Sequence, residues 1–272
     1  MKSTFEKVKE IKKHGYRLDI GEVISQTFEN YKKIALLSGG VILLLAIIFF
    51  VAVAGIGGVL GLAMSFTDFL TEFNVANMGP VGLLVNMGIS VLAYALLAPI
   101  SAGLIQIAHN AETNRDFDFS TAFVHYKTSH FKNLFLAGFL INLVSSGITT
   151  LLQITNLYFL DETLLFVIPI ISFVVSVIIT ILVLLTIPFI IFGNLDAMSA
   201  IKASISTTSK HFWIILLLLI IFFVCAMLGI LALCIGIFFT FPIYFSAQYI
   251  IYRNAVPMKE KDELDEIGSS EY

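Results

Sequence analysis

Apolar residues in this chain gather into runs longer than a globular core uses. Residues 34–64, 80–108, 134–155 and 163–192 contain no Asp, Glu, Lys, Arg or His, and neither does the stretch 212–252. A helix rises ~1.5 Å per residue and satisfies its own backbone, so about 20 apolar residues cover a ~30 Å hydrocarbon core. Each of the first four runs makes one such crossing. The last would reach ~60 Å as a single straight helix, so it is expected to fold back between Gly229 and Gly236. The pattern predicts an all-α, polytopic membrane protein with six transmembrane helices and both termini on one side.

Charge orients these crossings. All 16 Lys and Arg residues fall in alternate connecting segments. The first 33 residues hold Lys2, Lys7, Lys9, Lys12, Lys13, Arg17, Lys32 and Lys33. Arg115, Lys127 and Lys132 follow the second crossing, Lys202 and Lys210 the fourth, and Arg253, Lys259 and Lys261 the sixth. The opposite loops carry acids only: Asp68, Glu72, Asp161 and Glu162. Cations beside short loops stay cytoplasmic during insertion, so both termini are expected in the cytosol, with the chain in a bacterial inner membrane.

Three regions result: a basic lead with an interfacial amphipathic helix over 1–33, a six-helix transmembrane domain over 34–253, and an acidic cytoplasmic tail over 254–272. With 58% hydrophobic and 13% charged residues, no stretch is left over to bury a soluble core. The first apolar run follows a long charged lead rather than a cleavable signal pattern, so the first crossing is read as retained. The cations serve topology and accompany no recognition motif, which argues against nucleic acid. Near the inner leaflet each attracts anionic lipid by ~1 kcal/mol.

A unit recurs before the odd-numbered crossings: Leu18-Asp19-Ile20, Phe117-Asp118-Phe119 and Leu195-Asp196-Ala197 each open an amphipathic stretch. Asp19, Asp118 and Asp196 are placed as helix caps, and Glu22 is spaced to complete a capping box with Asp19. In the first copy Ile20, Ile24, Phe28 and Tyr31 recur at helical spacing opposite Glu22, Gln26, Glu29 and Lys33, predicting a helix flat on the inner leaflet. Each even crossing carries a proline near its cytoplasmic end, Pro99, Pro188 or Pro242. These predict kinks that free the carbonyls near Ala95, Leu184 and Phe238. The fold expected is three pseudo-repeats of interfacial helix plus helical hairpin.

The crossings contain no ionisable residue, so the usual machinery of ion coupling is missing from them. Uncharged polar residues do recur at helical spacing: Asn142, Ser145, Ser146, Thr149 and Gln153 on the third crossing, and Ser172, Ser176 and Thr180 on the fourth. The favoured reading packs these two crossings together through small hydroxylated residues and an Asn hydrogen bond; the rival is a polar groove for substrate. His109 and Glu112, with Asp116, Asp118, His125 and His130, make a conceivable metal cluster. No second His-x-x-x-His or Glu-x-x-His element supports it, so these read as solvated interfacial residues, with no metal, cofactor or catalytic residue assigned. Cys225 and Cys234 read as packed thiols.

The run Leu18-Asp19-Ile20-Gly21-Glu22-Val23-Ile24 through Tyr31-Lys32-Lys33 resembles a bacterial six-helix group. So does the closing Ala200-Ile201-Lys202-Ala203-Ser204 through His211-Phe212-Trp213 to Gly236, Pro242 and Tyr252-Arg253. That group includes the YciC-like proteins and the membrane domain of some glycerophosphodiester phosphodiesterases. The phosphodiesterase catalytic domain is not expected here, and the resemblance implies an inner-membrane protein with no agreed catalytic residues to carry over. The function expected is a non-enzymatic accessory or scaffold protein binding membrane lipid and a membrane-protein partner or a second copy of itself, as in an insertion, secretion or envelope complex. The alternative is a transporter or channel for a lipid or an uncharged small solute.

Overall fold

The computed structural model describes residues 4–61, 78–159, 162–231 and 235–256. The loop acids Asp68, Glu72 and Asp161, Cys234, and the acidic tail beyond residue 256 lie outside them. The described elements are helical, with no strand among the described residues: α1 Thr4–His14, α2 Ile20–Gly61, α3 Pro80–Glu112, α4 Phe131–Phe159, α5 Glu162–Val183, α6 Thr186–Ile191, α7 Ala197–Thr208, α8 Phe212–Met227, α9 Gly236–Thr240 and α10 Ile243–Ala255. Short 3-10 helices occupy Phe119–Tyr126, Ser209–His211 and Leu228–Leu231.

Among the described residues, five stretches are long and apolar enough to cross a membrane: Ile20–Ala52, Pro80–Glu112, Phe131–Tyr158, Val167–Ile191 and Ala197–Ile230. Their outer faces are apolar, Phe50 being 73% and Phe173 69% exposed. Water penalises such a surface, whereas hydrocarbon does not. The final segment is divided into α9 and α10, with a turn at Phe241–Pro242 where proline supplies no N–H. It nonetheless returns alongside α8: Thr240 Oγ1 donates to the Ala226 carbonyl at 2.7 Å, and Gly229 sits so close to Thr240 and the Gly236 backbone that a Cβ would not fit.

The stretch opening at Asp19 differs from the separate surface helix expected. α2 is unbroken over 42 residues, ~63 Å at ~1.5 Å per residue, so one end projects beyond a ~30 Å hydrocarbon core. Its buried stripe is Val23, Thr27, Asn30, Ile34, Ser38 and Val41, each 0% exposed, while Ile20, Ile24, Phe28 and Tyr31 flank it half-buried. Two polar side chains, Thr27 and Asn30, thus lie at the centre of the contact face. Asn30 is tolerated there because α10 and the end of α3 supply hydrogen-bonding groups opposite it, whereas Thr27 is engaged through its backbone carbonyl, which accepts from Ser246 Oγ, and its hydroxyl has no protein partner.

The stretch opening at Asp118 is a 3-10 helix rather than an α-helix, with Ala122 and His125 buried at its three-residue period. Ala122 presses on α3 at Gly103, where a Cβ would overlap the Ala122 backbone. A residue in the left-handed region precedes each of the three aspartates: Gly15 (φ 71°) after α1, Asn114 (φ 51°) after α3 and Asn194 (φ 51°) after α6. Glycine and asparagine adopt that conformation at little cost and so end the preceding helix.

α1 docks on α7. Ile11 is buried, and His211 Nε2 donates to the Tyr16 carbonyl at 2.6 Å, with the Tyr16 ring edge-on to His211 at 4.6 Å. The basic lead therefore contains, ahead of the expected amphipathic stretch, a further packed helix. α3 and α4 approach closely where Gly138 faces Ala95 and Ala98, a Cβ there lying 3.1 and 3.0 Å from their atoms. Small side chains permit this approach.

Candidate functional site

The three aspartates occupy one local geometry. Asp19 Oδ1 accepts from Glu22 N at 2.9 Å, Asp118 Oδ1 from Thr121 N at 3.0 Å, and Asp196 Oδ2 from Ser199 N at 3.3 Å. At Asp118 the box is completed by Thr121, whose Oγ1 accepts from Asp118 N at 3.1 Å. Hydrogen bonds from Ser120 and Thr121 hold the Asp118 carboxyl below the usual carboxylate range, and those from Ser199 do the same for Asp196. The Glu22 carboxylate accepts from Gln26 Nε2 at 2.8 Å.

The three prolines each sit beside a carbonyl that another element engages. α3 runs through Pro99, and Tyr126 OH donates to the Leu96 carbonyl at 2.5 Å. Pro188 follows a break at Leu184–Leu185 between α5 and α6. There Gln248 Nε2 donates to the Leu184 carbonyl, four residues before the proline. The same break is held by α7: Ser204 Oγ accepts from Leu185 N at 3.0 Å and donates to Leu182 O at 2.8 Å, and Thr208 Oγ1 donates to Leu182 O at 3.1 Å. Pro242 separates α9 from α10, and Tyr31 OH donates to Phe239 O at 3.1 Å. Irregular backbone at membrane depth persists only when its polar groups find such partners.

A polar hub joins α2, α3 and α10 at the end of the bundle where the lysines lie. Asn30 Nδ2 donates to the Ala108 carbonyl at 2.7 Å and to Glu112 Oε2 at 3.2 Å, while its Oδ1 accepts from Ser246 Oγ at 2.9 Å. Ser246 Oγ also lies 3.0 Å from the Thr27 carbonyl. Glu112 pairs with Arg253, Asn254 Nδ2 donates to Gln26 Oε1 at 3.0 Å, and Lys33 Nζ donates to Ala111 O at 3.3 Å. Sequence periodicity places Asn30 beside an apolar face but carries no signal for these partners, which lie 78 to 216 residues away.

The polar face of α4 meets a cavity of about 130 Å³ enclosed by α3, α4, α5, α6 and α10. Asn142 and Ser145 line it, together with Tyr94, Thr186, Tyr244 and Gln248. Ser146 and Thr149 turn back onto their own helix: Ser146 Oγ donates to Asn142 O at 2.5 Å, and Thr149 Oγ1 to Ser146 O at 3.0 Å. Gln153 is half-buried further along. The buried Asn142 Oδ1 and Thr186 Oγ1 have no protein partner.

The residues of the conceivable metal cluster are distributed among separate partners. His109 Nδ1 lies 3.2 Å from Tyr249 OH, with its ring 4.9 Å from that of Phe192. Glu112 pairs with Arg253 and Asp118 caps the 3-10 helix. His125 and His130 face each other edge-on at 5.9 Å. Among the described residues no three His, Cys, Asp or Glu side chains form a metal-binding group. Cys225 is a half-buried free thiol.

His125 is 5% exposed and its Nε2 has no partner. Burial, with the neighbouring His130 adding to it, pushes its pKa down from 6.5 to about 4. A base with a folded pKa below its unfolded value binds protons more readily when unfolded. Its contribution to stability is therefore complete above about pH 6.5 and is lost as pH falls towards 4. The thermal unfolding midpoint in mild detergent should drop between pH 7.5 and pH 5, and His125→Asn should flatten that drop. An unchanged slope in the variant would remove His125 as its source.

Comparison with family models, with curated proteins and with solved structures finds no match.

Proposed function

We propose that this chain is a bacterial inner-membrane protein crossing the bilayer six times with both termini cytoplasmic, and that it acts without catalysis as an accessory or scaffold subunit. It binds lipid and a membrane-protein partner or second copy through its lysine-bearing end. The observation that carries this reading is the amphiphilic rim of that end. Phe119, Val124, Tyr126, Met198, Ile205 and Trp213 are all exposed, interleaved with exposed Lys127, Lys132, Lys202 and Lys210. Aromatic and aliphatic groups alternating with lysines suit the headgroup layer and anionic lipid.

Three pseudo-repeats closing into a ring account for the hydrogen bonds beside the prolines. The unit opening at Asp118 reaches the Pro99 crossing of the unit before it through Tyr126, and the unit opening at Asp196 reaches the Pro188 crossing through Ser204 and Thr208. The unit opening at Asp19 reaches the Pro242 crossing of the third unit through Tyr31. In this arrangement α9 and α10 together form the sixth crossing.

Single cysteines introduced at Ser120 and Tyr158 into a chain with Cys225 and Cys234 replaced by Ser test the topology. Only position 158 should label from outside intact cells; labelling at 120 would overturn it. Purification in mild detergent tests the role. A membrane protein or anionic lipid retained in fixed ratio, and lost when Lys127, Lys202 and Lys210 are changed to Glu, is the expected result. A chain that runs alone and keeps neither overturns it. The cavity beside the broken α5–α6 favours a second reading, transport of a lipid or an uncharged solute, which flux across proteoliposomes would test.

A further inference from the structure

We propose that the cavity at the α5–α6 break is a binding site for a neutral, hydroxyl-bearing head group, whether of a small polyol or of a neutral lipid such as a diacylglycerol. The assignment stands apart from the accessory role, because binding here requires neither a protein partner nor net transport.

The site carries unused polarity. Thr186 is 1% exposed and its hydroxyl has no partner; the Asn142 carboxamide oxygen is buried and likewise unpartnered. An orphaned buried polar group is costly, and two of them lining one cavity call for an occupant that can donate hydrogen bonds. Gln248 is fixed by its bond to the Leu184 carbonyl, so the break that lines the site is held open rather than collapsed. Broken helices inside a bundle are where membrane proteins build binding sites, since unwound backbone is tolerated where it lines a cavity.

The lining decides the class of ligand. It contains no Asp, Glu, Lys, Arg or His, so an ionic head group would be desolvated without a counter-charge. Asn142 Oδ1 accepts only, which selects a hydroxyl or N–H donor over a ketone or ether. The cavity, about 130 Å³, holds more than one water-sized group, enough for a small polyol head group. Two lining residues are exposed on outer faces, Tyr94 near the middle of α3 and Thr180 in the last turn of α5. The site therefore has edges on the lipid-facing surface of the bundle, which leaves room for an acyl chain outside it.

The test uses the full chain in phosphatidylcholine nanodiscs, with protein-free nanodiscs as the partition control. Glycerol and 1,2-dioctanoylglycerol are the probes, measured by equilibrium dialysis and native mass spectrometry respectively. Saturable binding of either, weakened at least tenfold by Thr186→Val and by Asn142→Leu, is the result expected. Glycerol binding identifies a free polyol as sufficient; binding of dioctanoylglycerol alone identifies a head group supplied by the bilayer. Thr186→Val preserves shape, and Ser145→Ala replaces Asn142→Leu if that variant aggregates. Absence of saturable binding of both probes, or binding undiminished in the variants, overturns the assignment.

Discussion

Gly103→Ala should lower the thermal unfolding midpoint of the detergent-purified protein, although alanine in place of glycine in a helix ordinarily raises stability by ~1 kcal/mol. The added methyl would overlap the Cα, carbonyl carbon and carbonyl oxygen of Ala122. These are backbone atoms, so no side-chain rotation relieves the clash. Either α3 or the 3-10 helix Phe119–Tyr126 must move, and the latter is anchored by the Asp118 cap and by the Tyr126 bond to α3. Overpacking of this kind costs ~1–3 kcal/mol or more, which outweighs the propensity gain. Gly88 lies on the same helix with nothing within 4 Å of its Cβ position, so Gly88→Ala is the control and should hold or raise the midpoint. Parallel shifts in the two variants would mean that the contact with Ala122 does not govern the outcome.

Asn30→Leu should destabilise the chain by about 2 kcal/mol, within the ~1–3 kcal/mol range for stranding buried polar groups. Asn30 is 0% exposed and links α2 to the Ala108 carbonyl, Glu112 and Ser246. Leucine approximates its branched shape but can neither donate nor accept. Ser246 would keep the Thr27 carbonyl and Glu112 would keep Arg253, so the loss falls short of collapse. Interhelical hydrogen bonds within membranes average only ~0.6 kcal/mol each, and a single lost bond would barely register; the prediction depends on three being lost together. Ser246→Ala added to Asn30→Leu should cost less than the sum of the two separate changes, because they share one bond. Strict additivity in the thermal midpoints would show that the hub does not act as a unit.

The residues behind these two predictions differ in how far the chain alone reveals them. Glycine within an apolar run signals close packing in general, but that Gly103 meets Ala122 follows only once the 3-10 helix is laid on α3. Asn30 carries no signal of its own in the sequence, where periodicity marks Ile20, Ile24, Phe28 and Tyr31 as the apolar face. The folded chain instead centres the stripe on Val23, Thr27, Asn30 and Ile34, since α3 and α10 offer polar groups there and a helix rotates to meet its partners. The single unbroken α2 is hidden for a similar reason: polar and apolar halves of the sequence suggest two elements, while the backbone continues helical across the boundary.

Residue order by itself determined an all-helical chain with several lengths of apolar helix and with aspartates at successive helix starts. Both follow from short-range physics: burial length is set by rise per residue, and an Asp cap joins atoms three positions apart. Tertiary structure alone decided the 3-10 form of residues 119–126, the hub around Asn30, the sewing of the Leu184–Leu185 break by Gln248, Ser204 and Thr208, and the cavity above Thr186. Each depends on groups from elements distant in the chain. Uncharged polar side chains are compatible with many neighbours, and only three-dimensional packing selects which carbonyl or hydroxyl each one meets.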